Sequence, residues 1–218
     1  MIVASPIAGR RFTIVGRGRE AAYGDDGGFV AVFTVGRPVL PNGGQVRRLP
    51  AVGDEVVPTG QSWDPTLRIV SAADLDVSGP DDLVEAVETR DPDRAAAVGA
   101  RLIGRGGGLT PEGDDLVAGA AAVVASLDWP EASREAWLGA LVGRDLRART
   151  TALSATLLEL AVLGMGPRPL QALLAGDESA LPRLVALGHS TGRAYARGAA
   201  VGLLAVDMRR STTPRPNV

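Results

Sequence analysis

The residues most able to do chemistry cluster in Gly104–Gly119, GRGGGLTPEGDDLVAG. Gly104, Gly106, Gly107 and Gly108 permit positive φ and let the backbone come close to a ligand. Thr110-Pro111 reads as the N-cap and first residue of a helix. A helix start exposes unpaired N–H groups and partial positive charge. Loop and helix together therefore suit a phosphate or a carboxylate. The candidate anion-binding residues are Arg105, Gly106, Gly107, Gly108, Thr110 and Gly113, with Arg105 adding a charge-assisted contact. Leu109 is expected to anchor the loop by its side chain. No Gly-Lys-Ser/Thr follows, so this is not a Walker loop. A helix rather than a strand is expected before it, so it is not a dinucleotide fingerprint either.

Asp114 and Asp115 fall in the first turn of the expected helix. The following stretch, Leu116–Leu127, has no charge, and Ser126 is its only polar side chain. A helix apolar all round is buried, so two carboxylates stand at the mouth of a central helix. Adjacent helical residues diverge by roughly 100°. Two readings are open. The acids cap the helix, each contributing roughly 0.3–1 kcal/mol. Alternatively, one meets a ligand while the other meets a neighbouring element or a metal. With no cysteine and a single histidine, such a metal would be hard and oxygen-ligated. Magnesium held by Asp114 and Asp115 is the candidate.

A second motif is Gly188-His189-Ser190-Thr191-Gly192. His189 suits general acid–base work or a hydrogen bond to substrate. Its alternative reading is a cap on the preceding helix, with Ser190 or Thr191 capping the next. Thr191 and Gly192 join the anion-binding candidates; Asp114, Asp115, His189 and Ser190 are the catalytic candidates. Arg147, Arg149, Thr150, Thr151 and Ser154 open a further helix, either helping to bind an anion or simply capping. At Trp63-Asp64-Pro65 the preferred reading is a half-buried tryptophan beside a turn.

Composition narrows the chemistry. The chain has 218 residues and no cysteine, which excludes disulfides, thiolate nucleophiles and zinc–thiolate sites. All 23 basic residues are arginine, so Schiff-base lysine chemistry is excluded. A net charge of −2 without a basic stripe, and only 4% aromatics, argue against nucleic acid. No apolar run reaches the roughly 20 residues of a spanning helix, and the N-terminus does not read as a signal peptide. A cytoplasmic protein without membrane partners is the expectation.

The elements that must position these residues divide in two. Residues 1–78 read as a β-rich part: Phe12–Val15, Phe29–Phe33, Gln45–Leu49, Glu55–Pro58 and Leu67–Val70 are short strand candidates. Asp25-Asp26-Gly27-Gly28 and Pro41-Asn42-Gly43-Gly44 are the turns between them. The pattern changes at Ser78-Gly79-Pro80. Helices are expected over Asp81–Thr89, Asp93–Ile103, Pro111–Leu127, Pro130–Gly143, Thr150–Leu163, Pro169–Leu174, Leu181–Leu187 and Thr191–Met208. This helical part covers 79–209, and 210–218 reads as a frayed tail. Strands followed by helices make the fold class α+β. A small β-barrel or sandwich precedes an all-helical part with a central buried helix.

GRGGGLTPEGDDLVAG resembles the G-x-G-x-G-L-T-P-x-G-D-D-x-L-x-G signature of a bacterial family long classed as a domain of unknown function. RTTALSATLLELAVLG and LVALGHSTGRAYARG resemble that family's second and third blocks, in the same order. The family includes the small subunit of oxamate carbamoyltransferase, from anaerobic allantoin breakdown. The resemblance implies carbamoyl transfer between carbamoyl phosphate and oxamate within a hetero-oligomer. It carries over Gly106, Gly108, Thr110, Gly113, Asp114, Asp115, His189, Ser190 and Gly192. The family often has an acid shortly after its third motif, where this chain has Arg193 and Ala194. Two functions are therefore expected in competition. One is an enzyme or active subunit taking a small anionic acyl or carbamoyl phosphate-like substrate, with no organic cofactor. The other is a non-catalytic anion-binding or scaffolding subunit.

Overall fold

The computed structural model describes residues 2–37, 39–70, 75 and 79–212, with side chains through residue 205. Ser78, at the expected boundary, and 213–218 of the expected tail lie outside the described residues.

Among the described residues seven strands form one sheet: β1 Ile2–Ala4, β2 Phe12–Arg17, β3 Ala21–Asp25, β4 Val30–Thr34, β5 Gly43–Gln45, β6 Glu55–Val56 and β7 Gln61–Trp63. The spatial order is β6-β2-β3-β4-β5-β1-β7. β2, β3 and β4 are an antiparallel meander, and the expected Asp25–Gly28 hairpin joins the last two. β4–β5 and β1–β7 pair in parallel. The expected barrel or sandwich takes the form of a curled half-barrel. Its hollow buries Val3, Ile7, Phe12, Ile14, Phe29 and Phe33. Phe12 and Phe33 meet edge to face at 5.9 Å. A Cβ on Gly24 would stand 2.8 Å from Phe12 and 2.9 Å from Phe33, so glycine makes room for both rings.

Leu67–Val70, expected as a strand, is not one. Its backbone is held by single bonds instead, Leu67 N–H to Gly164 O at 2.7 Å and Val70 N–H to Leu174 O at 2.9 Å. Isolated attachments to helical segments replace a ladder.

The remainder is helical: α1 Asp81–Thr89, α2 Pro92–Leu102, α3 Glu112–Ala125, α4 Glu131–Val142, α5 Leu146–Arg149, α6 Ala152–Ala161, α7 Arg168–Leu174, α8 Leu181–Val185 and α9 Thr191–Thr212. α2 starts as its sequence dictates, with the Asp91 carboxylate accepting from the N–H groups of Asp93 and Arg94. α3 is buried continuously from Gly113 to Val124 and forms the centre of the core.

Glycines set the close packing around α3. A Cβ on Gly119 would lie 2.3 Å from Tyr195 O, one on Gly198 2.0 Å from Leu116 O, and one on Gly202 2.8 Å from Val123 Cβ. Early residues of α3 thus meet early residues of α9, and later ones meet later ones, so the two helices run parallel. α6 also runs parallel to α3: Thr150 bonds Asp114 at one end, and Gly164 meets Ser126 at the other. The N-termini of α3, α6 and α9 consequently gather at one end of the helical layer.

α6 also reaches the sheet. Leu153 and Leu157 pack on Val30 and Val32, Leu160 enters the sheet's own core, and Thr156 Oγ1 accepts from Val30 N–H at 3.0 Å.

Candidate functional site

The gathered helix ends surround Asp114 and Asp115, which are both buried at 1% exposure. Asp114 Oδ1 accepts the Gly104 N–H at 2.6 Å and Oδ2 accepts the Thr150 hydroxyl. It therefore ties the base of the glycine loop to the start of α6. Asp115 faces α9, against the hydroxyls of Thr110 and Thr191, which lie 2.9 Å from each other. Its Oδ2 is buried without a hydrogen-bond partner. Burial pushes the Asp115 carboxyl up to about 7, although the Thr191 and Thr110 hydroxyls pull the other way.

The glycine loop is shaped by three positive-φ residues, Gly104 (83°), Gly106 (121°) and Gly108 (89°). Gly107, expected to share that property, does not. Gly106 sits over the helix start, where a Cβ would stand 2.6 Å from Glu112 N. Gly113 lets α3 press on the end of α2, since a Cβ there would lie 2.1 Å from Leu102 O. Its N–H is taken by Arg105 O at 2.9 Å. The N–H groups of Gly106, Gly107 and Gly108 have no acceptor among the described residues.

Two expectations need correcting. Pro111 rather than Thr110 is the N-cap of α3, and no side chain caps that helix. The Thr110 hydroxyl is drawn instead into the contact with Thr191. Leu109 does not anchor the loop; its side chain is 57% exposed, and Thr151 Oγ1 holds its carbonyl at 2.6 Å. The arginines that open α5 and α6 are engaged within the protein. Arg149 donates to Val142 O and Gly99 O, both at 2.8 Å, and Arg147 lies 3.9 Å from Glu159.

The two expected motifs meet through Thr110 and Thr191. Gly192 is buried, with a Cβ position 1.7 Å from Leu184 O, so glycine allows α8 and α9 to touch there. Ser190 O accepts from Ala194 N–H at 3.0 Å and helps start α9. His189 is exposed on the turn, its carbonyl accepting from Arg193 at 3.3 Å. Arg105 is exposed and its Nε turns back to Arg101 O at 3.3 Å. Among the described residues no group of three or more acids or histidines is placed to hold a metal.

Residues 102–203 match the family model described as oxamate carbamoyltransferase subunit AllH. Over that segment the chain is similar to the AllH family. The matched segment carries the glycine loop, α3, α6, the His189 turn and most of α9, and leaves the sheet outside. No curated protein and no solved structure matches the chain. No helix among the described residues is long and apolar enough to cross a membrane.

The matched segment also sets a buried tyrosine beside the two acids, which the sequence did not reveal. Tyr195 lies one turn beyond Thr191 on α9 and is 1% exposed. Burial, then the Asp115 and Asp114 charges, hold its phenol well above the ordinary tyrosine range. Its spacing of four from Thr191 was the available signal, but among alanines and glycines it reads as core. Arg197, 3.6 Å from Glu112, ties α9 to the first turn of α3 in the same way.

Proposed function

We propose that this chain is an active subunit of an oxamate carbamoyltransferase-type complex, and that Gly104–Gly113 binds the phosphate-like end of its substrate. The observation that carries this reading is Asp115: a buried carboxyl with one unpartnered oxygen, where three helix N-termini meet beside loop N–H groups without acceptors. Positive helix ends and oriented N–H donors favour an anion there and stabilise charge developing on a leaving phosphate. A carboxyl near neutrality suits proton exchange with the acceptor's amide nitrogen. In this reading Asp115 is the acid–base group, Asp114 positions the loop, and Ser190, Thr191 and His189 orient the acceptor. Were magnesium carried in on a phosphate, Asp115 Oδ2, which has no hydrogen-bond partner, would be the oxygen to hold it, since both oxygens of Asp114 are already bonded.

The exposed Leu109 and His189 favour a second element, a partner subunit that closes over the loop. Leu109 presents apolar surface at the loop tip.

The test is calorimetric titration with carbamoyl phosphate and with oxamate, each with and without magnesium. It is run on the purified chain and on the complex purified with its partner subunits. Binding at least ten-fold weaker in Asp115→Asn, and weakened in His189→Ala, is the expected result. No binding in either preparation, or binding untouched by both substitutions, overturns the proposal.

A further inference from the structure

A cavity of about 490 Å³, lined by no residue of the glycine loop, lies between the β4–β5 connection, α7 and α8. Its charged lining is Arg37, Arg168 and Arg183, with no acidic residue; Val39, Pro169 and Ala172 supply apolar walls. Two of the arginines are built into place. The Arg168 guanidinium lies 3.8 Å from the centre of the Trp63 ring, and its backbone N–H donates to Val39 O at 2.8 Å. Gln171 fixes the turn after Trp63 by donating to Asp64 O at 2.8 Å and Thr66 O at 3.0 Å. Arg183 is held by Asp177 at 2.7 Å. Arg37 has no ion-pair partner among the described residues and adds a second positive charge beside Arg168.

With Arg183 already paired to Asp177, Arg37 and Arg168 stand as two like charges beside a half-apolar hollow, and an anion between them would relieve their repulsion. Arginine forks match carboxylate and phosphate oxygens. From the lining arginines and the apolar walls, we infer that this cavity binds a small organic anion, its carboxylate or phosphate on Arg37 and Arg168 and its carbon body against Val39, Pro169 and Ala172. The volume holds a molecule of several carbons, and stacking on Trp63 keeps Arg168 from collapsing into the space. The site is independent of the glycine loop, so its failure leaves the proposed function untouched.

Calorimetric titration with succinate, glycerol 3-phosphate and inorganic phosphate tests it and separates carboxylate from phosphate recognition. Saturable binding of succinate or glycerol 3-phosphate is expected, at least ten-fold tighter than inorganic phosphate. Arg37→Ala, an exposed position that leaves the fold intact, should weaken it ten-fold or more, and Arg168→Gln likewise. Arg19→Ala, a distant exposed charge, and Asp115→Asn should leave it unchanged. The inference is overturned by no saturable binding, by inorganic phosphate binding equally well, or by Arg19→Ala acting as strongly as Arg37→Ala. Loss in Asp115→Asn overturns it too, because the anion would then occupy the glycine loop.

Discussion

A rotation of about 100° between neighbouring helix residues sends Asp114 toward α6 and Asp115 toward α9, and their chemistry diverges accordingly. Asp115 is buried with its carboxyl pushed up to about 7. In the unfolded chain it ionises near 3.8. Between those values the folded state holds a proton that the unfolded state has lost, so stability falls as pH rises through that window. Below it the proton is bound in both states and Asp115 costs nothing. Asp115→Asn removes the dependence. The variant should gain on the wild type as pH goes from 4 to 7, by up to about 4 kcal/mol, with the gap constant above. Denaturant unfolding of both proteins at pH 4.5, 6 and 8 measures it, and parallel stability curves would sink the assignment. Asp114→Ala should act in the opposite sense, costing about 1–3 kcal/mol, because the Gly104 N–H and the Thr150 hydroxyl are left without their acceptor. Thr150→Val should lose less, since Gly104 keeps its partner; equal losses would mean that the Gly104 bond contributes nothing. The sequence shows two acids at a helix start. It does not show what each meets, because Thr150 and Thr191 come from distant segments that only tertiary packing brings in.

At the scale of elements, most helices are legible because apolar residues recur at helical spacing, and α3 because it has no polar face at all. The strands are less so. β3, Ala-Ala-Tyr-Gly-Asp, lacks the β-branched residues that mark a strand; it forms because β2 and β4 flank it and Gly24 admits two phenyl rings. β1 and β7 are three residues each, too short to show alternation, and pair across the length of the sheet segment. The parallel arrangement of α3, α6 and α9, on which the site depends, is written in glycines whose meaning appears only once their neighbours are known. Gly198→Ala places a methyl group against Leu116 O and should cost at least about 1–3 kcal/mol by forcing α3 and α9 apart. Gly139→Ala sits in α4 with nothing within 4 Å of its Cβ position, and should stabilise by about 0.5–1 kcal/mol through helix propensity. Thermal denaturation of the pair separates close packing from propensity. A Gly198→Ala protein as stable as the wild type would refute the glycine contact.

For the whole molecule, the decisive feature is that α6 belongs to two cores. Its Ala155, Leu158 and Ala161 pack with α3, whereas Leu153, Leu157 and Leu160 pack with the sheet. The Thr156 hydroxyl reinforces the second contact by accepting the buried Val30 N–H and donating to Ala152 O in its own helix. Thr156→Val keeps the shape but leaves the Val30 N–H buried without an acceptor, which should cost about 1–3 kcal/mol. Where that cost appears depends on how the two parts are joined. If α6 is the hinge between cooperative units, the loss will be local. Amides of β3 and β4 should then exchange faster with solvent deuterium, while those of Val117–Val124 in α3 keep their wild-type protection. The helical part would retain its gathered helix ends, and Asp115 its setting, even as the sheet loosens. An equal loss of protection in β4 and α3 would instead show one cooperative unit. The sheet would then be part of what holds the three helix N-termini around Asp115, rather than a body attached to them through α6.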